Sequence, residues 1–112
     1  MKKVEFNELK DIVKKVYGIN SIDRNTCLNE QKTLSEDNDK FINVLQENYD
    51  VNMDGFNYYD YFEEDDFIIL SILKNLLSTI GIWKSKKPKL KLGHILEVIN
   101  HGKWFAPEDI LD

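Results

Sequence analysis

The chain has 112 residues, a formal net charge of −5, 42% hydrophobic residues and a single cysteine, Cys27. That length and apolar content suit one domain with its own core, and a lone cysteine excludes a disulfide framework. The opening MKKVEFNELKDIVKK carries charges where a secretory leader needs an apolar run, so the sequence reads as cytoplasmic.

Phe6, Leu9, Ile12, Val13 and Val16 recur at helical spacing and predict a first helix over 7–17, ended by Gly18. Residues 19–34 carry little periodicity and read as a long connection anchored by Ile22 and Leu28. TLSE then forms a capping box, with Thr33 as N-cap, Glu36 three residues on and Ser35 as an alternative cap. The second helix carries an apolar stripe of Phe41, Val44, Leu45 and Tyr49. Glu36, Asp37, Asp39 and Glu47 take its other side.

The stretch DVNMDGFNYYDYFEEDD, residues 50–66, opens like a calcium loop, with Asp50, Asn52 and Asp54 two apart and Gly55 following. Such a loop needs a bidentate carboxylate at its twelfth position. That position is Tyr61, and Asn57 stands where an apolar residue belongs. A polar turn leading into an aromatic cluster is the better reading, and no metal is expected. FNYYDYF predicts a short helix or turn that seals the core with its rings.

Residues 67–83, FIILSILKNLLSTIGIW, are the most apolar segment. Lys74 near the centre and the limited length argue against a membrane span. Ile69, Ile72, Leu73, Leu76, Ile80 and Trp83 form one stripe expected to enter the core. Phe67, Leu70 and Leu77 lie off that stripe, and a helix apolar over so much of its circumference is either central or covered by another chain. Another copy or an unlike partner would serve, so a dimer is one such arrangement.

Pro88 interrupts a Lys-rich linker, and a last helix is expected over 93–101, with Gly102 as its stop. KLKL, residues 89–92, could pair briefly as a β-bridge. His94, Glu97 and His101 fall on one helical face, but two turns separate the histidines by about 10 Å, so surface histidines are the reading. Cys27 has no nearby histidine, and no phosphate loop or nucleophile elbow occurs. An enzyme is not expected.

Charge is unevenly distributed. Residues 33–66 hold eleven acids and one base, whereas residues 84–103 hold six lysines and one acid. A solvated surface explains this, and so does an acidic face that attracts a basic protein partner. Nucleic-acid binding fits poorly, because the basic run has no interleaved aromatics and the overall sign is wrong.

DVNMDGFNYYDYF, the apolar helix, the Lys/Pro linker and LKLGHILEVINHGKW together resemble the short bacterial proteins grouped as domain of unknown function 1493. The matching residues are Val51, Met53, Phe56, Tyr58, Tyr61 and Phe62, then Leu90, Leu92, Gly93, Ile95 or Leu96, Gly102, Lys103 and Trp104. Lys91 stands where that family has a threonine, which weakens the expected cap of the last helix. The resemblance implies an acyl-carrier-protein-like bundle of about four helices. In true carriers a serine at the start of helix two bears 4'-phosphopantetheine within Asp-Ser-Leu; Ser35 falls there, but between Leu34 and Glu36.

The expectation is an all-α domain spanning residues 1–112, a small carrier-like bundle with room for a brief β-bridge. Its expected function is non-enzymatic docking of a basic protein partner through the acidic second helix, without cofactor, nucleic acid or membrane. The alternatives are an acyl carrier loaded at Ser35 and an immunity-type or antitoxin-type inhibitor of a toxin. Expected partner contacts are Glu36, Asp37, Asp39, Glu47, Phe67, Leu70 and Leu77.

Overall fold

The computed structural model describes residues 3–31, 33–77 and 87–107, apart from the side chains at 71 and 74–77. The elements are α1 (Phe6–Tyr17), a 3₁₀ turn (Leu28–Glu30), α2 (Ser35–Tyr49), α3 (Tyr58–Tyr61), α4 (Asp65–Leu77) and α5 (Leu92–His101). The fold is all-α, as the periodicities predict. Among the described residues only two isolated bridges occur, antiparallel Cys27–Lys91 and parallel Asn52–Lys103. The first lies in KLKL.

The α1 helix forms because its apolar residues share one face. Leu9 and Val13 are fully buried, and Phe6, Ile12 and Val16 pack around them. Glu8 in the first turn and Lys14 and Lys15 in the last complement the helix dipole. The core joins this face to Phe41 and Leu45 of α2 and to Leu92, Ile95, Val98 and Ile99 of α5. Full burial of each such side chain contributes about 1.5–3 kcal/mol. A polar chain crosses the packing: the Tyr17 hydroxyl donates to Asn38 Oδ1 at 2.8 Å, and Asn38 Nδ2 donates to the Tyr58 hydroxyl at 2.9 Å. Asn38 is 1% exposed, so satisfying both ends of its amide is what permits its burial.

The residues of the calcium-like spacing have other roles. Asp50 terminates α2 in the left-handed region, at φ 59°, and the Val51 N–H reaches back to the Leu45 carbonyl at 3.1 Å. Asn52 Oδ1 accepts the Asp54 N–H at 2.8 Å, a side-chain-closed turn. Backbone bonds then fasten Asn52 to the end of α5, from Asn52 N–H to the Gly102 carbonyl at 2.9 Å and from Trp104 N–H to the Asn52 carbonyl at 2.8 Å. Gly102 turns the chain at φ 81°, where a side chain would be strained. Trp104 thereby reaches Phe56 and Tyr61 edge-on, at 4.8 and 5.3 Å between ring centroids. The residues around 51–62 and the Gly-Lys-Trp at 102–104, far apart in sequence, meet in one aromatic layer.

The long connection of residues 19–34 is organised by Asn29, which is 6% exposed. Its amide nitrogen donates to the carbonyls of Tyr61 at 2.9 Å and Pro88 at 2.7 Å, and its oxygen accepts the Leu90 N–H at 3.1 Å. Leu28 N–H adds a bond to the Leu90 carbonyl at 2.8 Å. The α5 helix has no side-chain cap at Lys91. The connection supplies the acceptors instead: Leu92 N–H bonds the Thr26 carbonyl and Gly93 N–H the Arg24 carbonyl, both at 2.9 Å. A β-carbon on Gly93 would lie 3.2 Å from that Arg24 oxygen, so the close approach favours glycine.

Two expectations are corrected here. His94 is not a surface residue: it is 7% exposed, its Nε2 donates to the Phe105 carbonyl at 2.8 Å, and Trp104 and Phe105 pack against its ring. A polar side chain within the apolar α5 pattern looked solvent-facing, whereas the turn at Gly102 folds residues 104–105 back over it. The stripe Ile69, Ile72 and Leu73 was expected in the core, yet these side chains are 46%, 39% and 50% exposed. Among the described α4 side chains Ile68 is the buried one, at 3% exposure. Ile80 and Trp83, and the side chains of Leu76 and Leu77, lie outside the described residues.

Asn29→Ala should destabilise the domain by about 2–4 kcal/mol, because it removes three hydrogen bonds from a buried site, the acceptor of the Leu90 N–H among them. Urea unfolding monitored by circular dichroism measures this. Asn29→Asp should also destabilise, since it turns a carboxylate oxygen toward two carbonyls; a wild-type midpoint for both variants would refute the role. Tyr49 offers a second check. Burial, then the hydrogen bond from its hydroxyl to Glu8, then the Glu8 charge push its pKa up from 10.0 to about 12. The neutral phenol is favoured in the folded chain, so this stability is complete below about pH 10 and lost as pH rises through about 12. Ultraviolet titration should show a step near pH 12 that Tyr49→Phe removes.

Candidate interaction surface

The surface is built where the starts of α2 and α4 meet. The expected capping box does not form: Leu34 is the N-cap of α2 and makes no side-chain cap bond, while Thr33 Oγ1 is buried without a partner among the described residues. The cap comes from thirty residues away. Asp65 Oδ1 accepts the Ser35 N–H at 2.8 Å, and Asp65 Oδ2 accepts the Ser35 hydroxyl at 2.7 Å. One carboxylate thus closes the N-terminus of α2 while standing in the first turn of α4. Both helix dipoles favour its negative charge. The sequence shows the acids before α4 but not the second helix that one of them serves.

This contact fixes the acidic residues in space. Glu36, Asp39 and Glu47 are exposed on α2, and Asp37 is half-buried. Lys40 offsets part of that charge through an exposed pair with Glu36 at 3.8 Å, a contact worth well under 1 kcal/mol. Lys87 of the basic linker is used inside the fold. Its Nζ donates to the carbonyls of Tyr59 at 2.5 Å and Phe62 at 3.1 Å, and lies 3.6 Å from Glu63. That lysine closes the end of α3, a role that a reading of the linker as solvated charge misses.

Beyond Asp65 the α4 helix is apolar over much of its circumference, and most of its described side chains are little covered. Phe67 is 49% and Leu70 51% exposed, as expected for the off-stripe positions, and Ile69, Ile72 and Leu73 join them. At about 100° per residue these five positions spread around the helix. So broad an apolar surface is ordinarily enclosed; among the described α4 side chains Ile68 is the buried one. The apolar surface and the acidic starts of two helices therefore adjoin at Ser35–Asp65.

Other chemistry-bearing groups have structural surroundings. Burial, then Glu30, push the Cys27 thiol above its ordinary range, which disfavours the reactive thiolate. The Ser35 hydroxyl is engaged by Asp65 and half-buried. A small apolar pocket lies between α2 and the aromatic layer, lined by Tyr17, Phe41, Phe56, Phe62, Leu90 and Trp104 among others. Among the described residues no three His, Cys, Asp or Glu side chains gather as a metal site, and no helix is long and apolar enough to cross a membrane.

Asp65→Ala should cost about 1–2 kcal/mol, the size of a lost helix cap. Ser35→Ala, which retains the backbone bond to Asp65, should cost at most ~1 kcal/mol. Thr33→Ala should leave stability within about 0.5 kcal/mol of wild type. Chemical denaturation checks that order, and a larger loss for Thr33→Ala than for Asp65→Ala would restore the local capping box.

Comparison with protein-family models, curated proteins and solved structures finds no match to this chain.

Proposed function

We propose that this chain is a non-enzymatic protein-interaction domain. Its α2 acids, Glu36, Asp37, Asp39 and Glu47, steer a basic partner, and α4 supplies apolar surface that another protein chain covers. The exposure of Phe67, Ile69, Leu70, Ile72 and Leu73 at 39–51% is the observation that supports this most strongly. Apolar burial supplies binding energy without direction, while the acids supply encounter rate and orientation. Leu77, grouped with Phe67 and Leu70 from the sequence, belongs to the same proposal by its place on α4. The resemblance to domain of unknown function 1493 adds a carrier-like bundle that docks proteins through its second helix.

The geometry at Ser35 favours docking over loading with phosphopantetheine. Its hydroxyl donates to a carboxylate, and Glu36 and Asp37 follow directly, so an incoming phosphodiester meets three negative charges. Cofactor-free function is part of the proposal.

Leu70→Asp should abolish association with the partner while leaving the thermal midpoint and helical content near wild type. Glu36→Lys with Asp39→Lys should slow association and flatten its salt dependence. Affinity capture followed by binding kinetics reads both effects. A Leu70→Asp chain that unfolds would place this side chain in the core and end the docking reading. A stoichiometric phosphopantetheine mass on the wild type, absent from Ser35→Ala after co-expression with a transferase, would make the chain a carrier.

A further inference from the structure

We infer that the chain covering α4 is a second copy of this chain, paired antiparallel about Leu70. The inference rests on the reading of α4 as a docking element and names its occupant. Charges fall symmetrically about Leu70 along the helix. Asp66 lies four residues before Leu70 and Lys74 four residues after it, and positions four apart share a helix face. In an antiparallel pair centred on Leu70, Asp66 of each copy falls opposite Lys74 of the other. Phe67 likewise falls opposite Leu73, three residues to either side, and both are about half exposed. A two-fold axis repeats each contact, so two ion pairs flank a continuous apolar seam.

A parallel pair does the reverse. It sets Asp66 against Asp66 and Lys74 against Lys74, and brings together two copies of Glu63, Glu64, Asp65 and Asp66. Antiparallel pairing about Leu70 moves those acidic bases apart along the axis, to about 15 Å between the two copies of Asp65 at 1.5 Å rise per residue. It also fits the exposure around α4, since a neighbouring helix and the body it is attached to cover more of the circumference than a flat surface does. The Ser35–Asp65 contact ties each α2 start to the base of its α4. The dimer would therefore present an acidic α2 surface at each end, two sites for a basic partner instead of one.

Sedimentation equilibrium of the full chain, from low to high micromolar, tests this directly. The wild type should be a reversible dimer. Asp66→Lys or Lys74→Asp alone should raise its dissociation constant roughly tenfold or more, because each reversal makes two like-charge contacts by symmetry. The double variant should restore association to near wild type. That restoration separates pairing from a merely structural effect, since Lys at position 66 opposes its own helix dipole whatever stands at 74. A wild type that stays monomeric across the range would overturn self-pairing and leave docking to an unlike partner standing. A dimer unaffected by either reversal would overturn the antiparallel register. If Leu70→Asp unfolds the monomer, the docking reading fails as well.

Discussion

The fold depends on the buried amide of Asn29. Long non-helical segments separate the helices of this bundle, and buried peptide groups in such segments need partners. Asn29 supplies three bonds at one point, joining the first long connection to the end of α3 and to the approach of α5. Once residues 26–28 and 90–92 run side by side, the carbonyls of Arg24 and Thr26 are positioned for the first N–H groups of α5. The helix that carries the most buried apolar side chains is thereby docked without a cap of its own.

A second long-range contact governs the surface. Asp65 holds the start of α2, so the acidic residues of one helix and the apolar length of another have a common origin. Ile68 anchors α4 immediately afterwards, and the exposed residues follow from there. Core residues from α1, α2, α3 and α5 fill the interior around Phe41, Leu45 and Leu92 without them. The core and the exposed apolar residues of α4 are thus largely different sets. That division leaves α4 available for a neighbouring chain.

What the sequence made legible follows from locality. Apolar period with the stops at Gly18 and Gly102 located α1 and α5 to within a residue, and the apolar stripe located α2, because those signals act over one helical turn. The aromatic cluster and the brief pairing at KLKL were visible for the same reason. The capping box failed because Asp65, remote in sequence, outcompetes Thr33 for the start of α2. Ile69, Ile72 and Leu73 were misassigned because periodicity says that a helix has apolar faces, not which face the domain can reach. His94 was misplaced because only the return of Trp104 and Phe105 buries it. At the surface, the exposure of Phe67 and Leu70 and of Glu36, Asp39 and Glu47 was anticipated, whereas Asp65 and Lys87 emerged only from contacts between distant segments.

The central claim is that the apolar side chains of α4 lie outside the monomer's core. The most direct measurement is the rate at which a thiol reagent modifies single cysteines placed along α4. The unsubstituted chain, with its buried Cys27, supplies the background. In dilute solution Leu70→Cys and Leu73→Cys should react at nearly the rate of a free thiol, and Ile68→Cys should be strongly protected. Protection at 70 and 73 should then appear as the concentration rises. Strong protection of positions 70 and 73 in a dilute, monomeric sample would contradict the account and return α4 to the core.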